Sequence, residues 1–174
     1  AGAVFKVGHS TLRIEPVSRT LEVRPSASRR LGELVAESVS MREVFAVIEL
    51  AAPRDVTVLV TGETGTGKEL VARALHDGSP RRRGPFVTID CGALPESLLE
   101  SELFGHVKGA FTGAQADRKG AFARADGGTL FLDELGRVSP GVQSRLLRVL
   151  EARTVKPVGA DHERPVDVRV IAAA

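Results

Sequence analysis

The sequence has one cysteine, no long apolar run and little net charge. Cys91 is the only cysteine among 174 residues, which excludes an internal disulfide and is typical of a reducing compartment such as the cytoplasm. No segment approaches the roughly 18 apolar residues of a membrane-spanning helix, so we expect no membrane partner. The formal net charge of +2 is too small to indicate nucleic-acid binding.

The two ends of the chain indicate a fragment of a longer protein. The sequence starts at Ala1 without an initiator Met or a signal-peptide pattern. It stops at Ala174 within an apolar run that has the composition of a strand. Residues 1–21 are interpreted as the tail of an upstream domain, with a weakly alternating hairpin at 4–15 around Gly8-His9.

Residues 22–30 are rich in Arg, Ser and Pro and predict a linker. The remaining residues, 31–174, are long enough for one domain with its own core. Helices are expected at 41–52, after 68, after Pro95 and after Pro140. Strands are expected at 56–60, 86–90, 129–132 and 167–173. Strands that alternate with helices predict an α/β fold with a parallel sheet between two helical layers.

A glycine-rich turn joins the strand predicted at 56–60 to the following helix. Backbone N–H groups in such a turn bind phosphate, and the helix dipole assists them. A lysine after the last glycine reaches the outer phosphates, whereas the expected Ser or Thr behind it is replaced by an acidic residue. The predicted nucleotide-binding residues are Gly62, Glu63, Thr64, Gly65, Thr66, Gly67, Lys68 and Glu69.

A second motif follows in the buried strand at 129–132, which ends in Asp133 and Glu134. Because parallel strands end at the same edge of a sheet, Asp133 is expected near the phosphates held by Lys68, where it would hold Mg²⁺ directly or through water. Glu134 is able to face the γ-phosphate and to polarise the attacking water. Lys68, Asp133 and Glu134 are therefore the candidate catalytic residues.

Two further stretches and the single cysteine also allow an interpretation. The segment from His106 to Arg118 has neither helical nor strand periodicity and carries one aromatic residue between two glycines, which is typical of an exposed contact loop. Three consecutive arginines, Arg81 to Arg83, are typical of a solvated turn. Cys91 has no base beside it in sequence and is expected to be a small buried side chain.

Together these motifs resemble the central AAA+ ATPase domain of bacterial enhancer-binding proteins, which activate sigma-54 RNA polymerase. The resemblance runs from about Leu31 to Ala174. It is carried by the phosphate loop and by the ranges 100–106, 109–114, 125–134, 143–151 and 167–173. The most specific of these is the hexapeptide of residues 109–114, which other AAA+ branches lack.

The resemblance implies a three-layer P-loop AAA+ fold, incomplete at its C-terminus, that binds ATP and Mg²⁺. It extends the nucleotide-binding set to Ala125, Asp126, Gly127, Gly128, Thr129, Leu130, Phe131, Leu132, Asp133 and Glu134. It also accounts for Glu69, which this family commonly has after the lysine. The implied activity is ATP hydrolysis by a ring, usually a hexamer, that remodels the closed sigma-54 promoter complex into an open one.

In this family the hexapeptide loop projects from the ring and contacts sigma-54 within the RNA polymerase holoenzyme. The resemblance therefore assigns partner binding to Gly109, Ala110, Phe111, Thr112, Gly113 and Ala114, with Phe111 and Thr112 at the tip. It also implies an upstream domain that responds to a signal and a C-terminal DNA-binding domain outside this chain. Arginine fingers and a polar sensor residue are likewise expected beyond Ala174.

Two features depart from this pattern or resemble it weakly. The family often has Asn at position 90, where it restrains the catalytic glutamate in a nucleotide-dependent switch. Asp90 cannot donate an amide hydrogen bond, and its carboxylate would repel Glu134. Residues 5–14 resemble the last strands of a forkhead-associated domain, which would make the upstream domain a phosphothreonine reader.

Three functions are compatible with these residues. The first is an ATP-driven motor for sigma-54, favoured by Glu134 and the complete phosphate loop. The second is a nucleotide-gated interaction module with little turnover, for which Asp90 leaves room. The third is another AAA+ machine, which the hexapeptide at 109–114 opposes.

Overall fold

The computed structural model describes residues 3–7, 10–14 and 23–174. Two strands, β1 (Ala3–Val7) and β2 (Ser10–Ile14), pair antiparallel as predicted for the hairpin at 4–15. The expected Gly8-His9 turn and the end of the upstream segment, residues 15–21, lie outside the described residues. The forkhead-associated identity of this segment therefore stays a prediction.

From residue 30 onward, strands and helices alternate. The helices are α1 (Val39–Ala51), α2 (Lys68–Asp77), α3 (Glu96–Phe104), α4 (Ala121–Arg124) and α5 (Pro140–Ala152), with a 3-10 turn at Leu135–Arg137. The strands are β3 (Arg30–Leu31), β4 (Leu34–Val35), β5 (Val58–Val60), β6 (Phe86–Asp90), β7 (Gly105–His106), β8 (Arg118–Lys119), β9 (Thr129–Asp133), β10 (Thr154–Val155), β11 (Arg164–Pro165) and β12 (Arg169–Ala173). None of the helices in the described ranges has both the length and the apolar character to cross a membrane.

Four strands form the central sheet in the order β5-β12-β9-β6, and every neighbouring pair is parallel. In its register, Ala172 lies beside Leu59 on one side and Leu132 on the other, while Asp90 lies beside Asp133. The carboxyl ends of the four strands therefore meet at one edge. This confirms the predicted parallel α/β sheet, although β5 is shorter than the expected strand at 56–60.

The two faces of the sheet carry separate halves of the core. On β9, Leu130 and Leu132 pack with buried residues of α3, α4 and α5, whereas Phe131 packs on the opposite face with α1 and α2. This alternation is the period-2 pattern of a strand covered on both sides. The three-layer arrangement of the resemblance is therefore present.

Serine caps start two of the helices. Ser38 Oγ accepts a hydrogen bond from Met41 N before α1, and Ser139 Oγ accepts one from Val142 N before α5. Ser139 is followed by Pro140 in the first turn, a combination that is typical of helix starts. Helix α1 begins at Val39, slightly before the expected start at 41, because its cap is Ser38.

Arg169 joins β12 to the carbonyl ends of two helices. Its side chain is buried, and its guanidinium donates to the carbonyl oxygens of Ala52 (2.9 Å), Ala51 (3.1 Å) and Leu75 (3.4 Å). Carbonyl groups at helix ends lack intrahelical donors, so a buried cation compensates them. This contact fixes α1 and α2 against the strand that lies between β5 and β9.

Arg81 departs from the expectation of a solvated arginine turn, whereas Arg82 and Arg83 are exposed as expected. Its guanidinium donates two hydrogen bonds to the Asp55 carboxylate (3.0 and 2.8 Å) and one to Asp167 Oδ1 (2.6 Å). The Arg81 hydrogen bond holds the pKa of Asp55 below its usual value. Because Asp55 precedes β5 and Asp167 precedes β12, this ion cluster fixes the amino ends of neighbouring strands.

The segment before β3 also contacts the domain. Ser26 N donates to Arg42 O at 2.9 Å, and Ser26 Oγ donates to Glu49 Oε1 at 2.8 Å. Ser26 is buried against α1 by these contacts, although residues 22–30 have a linker-like composition.

Candidate functional site

The phosphate loop lies between the carboxyl end of β5 and the amino end of α2, as predicted. Gly65 and Gly67 have φ angles of 84° and 86°, in the left-handed region that favours glycine. Gly67 is the N-cap of α2 and provides no side-chain hydrogen bond to it. The first N–H groups of a helix have no intrahelical acceptor, so those of α2 suit an anion.

Side chains of the loop fold back onto its own backbone. Lys68 Nζ donates to the carbonyl oxygens of Gly62 (2.8 Å) and Glu63 (3.1 Å), and Thr66 Oγ1 donates to Glu63 O at 2.7 Å. Residues 62–66 are exposed, and so is Glu69 in the first turn of α2. Gly62 N donates to Ala174 O at 3.2 Å, which joins the loop to the end of β12.

The second motif contributes fewer residues to this edge than predicted. Asp133 is the last residue of β9 and Glu134 follows it, and β9 is separated from β5 by β12 alone. The other eight residues of the predicted set do not reach this edge: Ala125, Asp126, Gly127, Gly128, Thr129, Leu130, Phe131 and Leu132. They precede β9 or lie within it, and Leu130, Phe131 and Leu132 are buried in the core.

The reason is geometric. A parallel sheet presents only the carboxyl ends of its strands at one edge, and the turn before β9 lies at the opposite edge. There Asp126 Oδ1 accepts from Asp167 N at 2.7 Å, and Gly127 N donates to Asp167 O at 2.9 Å. This turn therefore stabilises the pairing of β9 with β12 and does not contribute to the edge of the sheet that carries the phosphate loop.

Glu134 lies in an orientation that differs from the expected one. Its backbone has a φ angle of 52°, in the left-handed region. Its Oε2 accepts from Arg137 Nε at 2.9 Å, and a Cβ built on Gly92 would lie 2.0 Å from the same oxygen. The carboxylate therefore packs on the loop after β6.

Asp90 is held by the same loop. Its Oδ1 accepts hydrogen bonds from Gly92 N (2.8 Å) and Ala93 N (3.2 Å). The carboxylate thus shapes the turn on which Glu134 packs. The repulsion expected between Asp90 and Glu134 is compensated, because each carboxylate has its own donor.

Cys91 lies between these carboxylates as a buried thiol. It is 3% exposed. Burial, together with the negative charges of Asp90, Asp133 and Glu134, raises the pKa of the Cys91 thiol to about 11. The thiol is therefore protonated at neutral pH, and the expectation of a small buried side chain is confirmed.

The predicted partner loop extends from a short base formed by β7 and β8. Gly109 N donates to Ala114 O at 2.8 Å, and Ala114 N donates to Phe111 O at 3.0 Å. Ala114 is buried, Ala110 is half-buried, and Thr112 and Gly113 are exposed. Phe111 is 39% exposed, and its ring lies edge-on to His106 with centroids 5.0 Å apart. The tip is therefore open, with one side of Phe111 covered.

Sequence reasoning missed Gly92, His106 and Arg137. Arg137 follows Glu134 at the i,i+3 spacing that allows ion pairs in a helical turn, so spacing could have identified it. Gly92 and His106 carried no comparable signal. Their roles depend on which strands and loops become neighbours.

Comparisons with known proteins agree with the motifs. A model of the Sigma-54 interaction domain family matches residues 34–174. The chain is 55% identical over 167 residues to the transcriptional regulatory protein ZraR of Klebsiella oxytoca, covering 96% of this chain and 36% of that protein. It is 50% identical over 161 residues to a Nif-specific regulatory protein of Herbaspirillum seropedicae, covering 92% of this chain and 30% of the relative.

Among solved structures, NtrX from Brucella abortus in complex with ATP is similar, with a TM-score of 0.75 and 38% identity. The match covers 82% of this chain and 30% of NtrX. The chain therefore spans about a third of the length of the relatives it matches. With the parallel sheet, the phosphate loop and residues 34–174 all in agreement, the chain belongs to the sigma-54 interaction domain family of P-loop AAA+ domains.

Proposed function

We propose that this chain is the ATP-driven motor domain of a transcription activator. It binds and hydrolyses ATP and remodels the closed sigma-54 RNA polymerase complex into an open one. The observation that carries the proposal is the common edge of the sheet. There the phosphate loop follows β5, while Asp133 ends β9 and Glu134 follows it, with only β12 between the two strands.

Nucleotide binding is supported by the start of α2. Left-handed Gly65 and Gly67 and the missing side-chain cap leave backbone donors that fit a phosphate group. Lys68 would exchange its two loop carbonyls for the outer phosphates. NtrX, which shares this fold, was solved with ATP.

The carboxylate oxygens of Asp133 also suit Mg²⁺, a cation that prefers oxygen ligands. Asp133 would hold it, directly or through water. The ion would offset the negative charge of the phosphates when bound. Position 69 carries a carboxylate in place of the usual hydroxyl, so Asp133 provides the principal ligand from this chain.

Glu134 is the proposed general base, which takes up the proton of the attacking water. A base must lie within hydrogen-bond reach of that proton. Glu134 therefore has to leave Arg137 and Gly92 before hydrolysis. Its left-handed backbone, at a φ of 52°, is the kind of uncommon conformation that accumulates at functional positions.

The partners are proposed from the family. The exposed tip of the 109–114 loop, with Phe111 and Thr112, is the proposed contact for sigma-54. Self-association into a ring, with six subunits as the usual number, would bring neighbouring subunits to the nucleotide. Promoter DNA would be bound through a C-terminal domain not included in this chain.

Substitution of Glu134 tests the proposal in the full-length protein. Glu134→Gln should bind ATP normally and lose about 10²–10⁴-fold in hydrolysis, because an amide keeps the shape but cannot take up a proton. Lys68→Ala should weaken ATP binding itself. Fluorescent-nucleotide titration and phosphate release measure the two properties. Normal binding and normal hydrolysis by both variants would contradict the site assignment.

One observation favours a second candidate, the nucleotide-gated module with little turnover. Glu134 is paired with Arg137 at 2.9 Å, where it cannot serve as a base for water at the phosphate loop. If the full-length protein bound ATP, changed its affinity for sigma-54 and released no phosphate above background, the module would replace the motor.

A further inference from the structure

The loop after β6 leaves a space beside Gly92 that the Glu134 carboxylate occupies, and this space is called the Gly92 seat below. At Gly92, an added Cβ would lie 2.0 Å from Glu134 Oε2 and 3.1 Å from Glu134 Cδ. The first distance is far below van der Waals contact and the second is tight, so only glycine leaves room for the carboxylate in this position. The two hydrogen bonds from Gly92 N and Ala93 N to Asp90 fix the turn that carries this seat.

Arg137 closes the seat from the other side. Its Nε lies 2.9 Å from Glu134 Oε2, and its Cδ would lie 3.0 Å from a Cβ on Gly92. Asp90 and Asp133 lie side by side at the carboxyl ends of β6 and β9, and Arg137 pairs with Glu134, the residue that follows Asp133.

The strand order indicates on which side of β9 the Glu134 carboxylate lies. The phosphate loop follows β5, at one end of the sheet order, and Gly92 follows β6 at the other end. Glu134 follows β9, which lies next to β6 and is separated from β5 by β12. A carboxylate that packs on Gly92 is therefore turned away from the phosphate loop.

We propose that Arg137 and the Gly92 seat hold Glu134 in this retracted position, and that Arg137 is a positioning residue for the proposed base. The inference rests on the proposed function, in which Glu134 activates water. Hydrolysis then requires Glu134 to exchange Arg137 for the water. The Asp90 carboxylate contributes by accepting hydrogen bonds from the backbone N–H groups of the turn, and not by a contact with Glu134.

Substitution of Arg137 in the full-length protein tests whether this side chain retains Glu134. The pair is partly solvated, with side-chain exposures of 34% for Glu134 and 70% for Arg137. Arg137→Ala should therefore raise single-turnover ATP cleavage by about two- to fivefold, the factor that an exposed ion pair supports. Arg137→Lys, which keeps the charge, should give a rate closer to wild type. Arg30→Ala removes an exposed arginine on β3 and is the matched control.

Substitution of Gly92 tests the seat without removing a charge. The φ angle of Gly92 lies outside the left-handed region, so alanine fits the backbone and obstructs only the seat. Gly92→Ala should raise single-turnover cleavage as Arg137→Ala does. Gly136→Ala is the matched control, because no heavy atom lies within 4 Å of a Cβ at that position. Circular dichroism establishes that each variant is folded.

A third measurement needs no nucleotide. In urea unfolding of the nucleotide-free protein, Arg137→Ala should lower the midpoint when Glu134 is present. It should have no further effect once Glu134→Ala is in place, because the pair is then already lost. Additive effects of the two substitutions would contradict the ion pair as a holding contact.

The outcomes separate this inference from the proposed function. Wild-type protein that binds ATP but cleaves none would contradict the motor itself. If wild type cleaved ATP and folded Arg137→Ala and Gly92→Ala cleaved it at an unchanged or slower rate, the proposed motor would stand. The proposal that Arg137 and the Gly92 seat retain Glu134 would then be wrong. Faster cleavage in both, with the controls at wild-type rates, is the expected result.

Discussion

At the scale of single residues, His76 shows how the core treats a titratable side chain. It is 3% exposed, its Nδ1 lies 2.9 Å from Thr129 Oγ1, and its ring lies 5.2 Å from that of Phe86. Burial lowers the pKa of His76, and the nearby Asp77 carboxylate opposes this only in part. The folded state therefore favours the neutral form of His76.

This residue predicts a loss of stability in mild acid. An unfolded histidine has a pKa of about 6.5, so below that value the unfolded chain binds the proton more readily than the native chain. The contribution of His76 is complete above about pH 6.5 and is lost as the pH falls through the lower native pKa. Urea unfolding midpoints of wild type should therefore decrease on acidification.

His76→Gln should show a smaller decrease over the same range, since the amide does not titrate. His162→Gln removes an exposed histidine and is the control. If both variants retained the full wild-type decrease, the acid sensitivity would arise elsewhere.

At the scale of elements, the 107–117 loop combines a fixed base with an open tip. Val107 N donates to Val158 O at 3.1 Å, and Val158 N donates to Gly105 O at 2.8 Å. Beside them, a Cβ built on Gly159 would lie 2.8 Å from the Ala110 Cβ. The base thus packs closely on the segment after β10, while Thr112 is exposed.

This arrangement predicts that substitutions at the tip separate hydrolysis from remodelling. In the full-length protein, Thr112→Ala should keep ATP turnover within a few-fold of wild type and abolish open-complex formation at a sigma-54 promoter. Phe111→Ala should do the same by removing the apolar contact. A population shift requires contacts that differ between states, and the tip is the proposed contact.

Both activities should be measured on one preparation, with Thr88→Ala on β6 as the exposed-threonine control. Parallel loss of turnover and promoter opening would indicate a structural loop. Retention of both would remove the tip from the mechanism.

At the scale of the whole molecule, one chain carries Lys68, Asp133 and Glu134, while the family implies further catalytic groups from a neighbouring subunit. An arginine finger is worth about 10³–10⁵ in rate in P-loop enzymes. The 174-residue chain alone should therefore hydrolyse ATP slowly, well below about 1 per second.

In the full-length protein, turnover per subunit should rise steeply with concentration as rings form. Sedimentation measured over the same concentrations should show the assembly. Glu134→Gln subunits added to wild type should lower the activity of the mixture by more than dilution. Rapid turnover per subunit that does not depend on concentration would contradict a shared site.

The sequence by itself determined the local units. The apolar run before Gly62, the glycines up to Gly67 and the helical spacing after Lys68 specify strand, turn and helix within one short stretch. Ser139 and Pro140 likewise identify the start of α5. Such features depend on backbone conformation and short-range periodicity, which neighbouring residues encode.

Only the tertiary structure decided where the charged side chains point. Arg81 pairs with Asp55 and Asp167, which lie 26 and 86 positions away in the chain. Glu134 turns toward Gly92 because β6, and not β5, is the neighbour of β9. The order of strands in a sheet is set by long-range packing, and a carboxylate takes whichever donor that packing brings within reach.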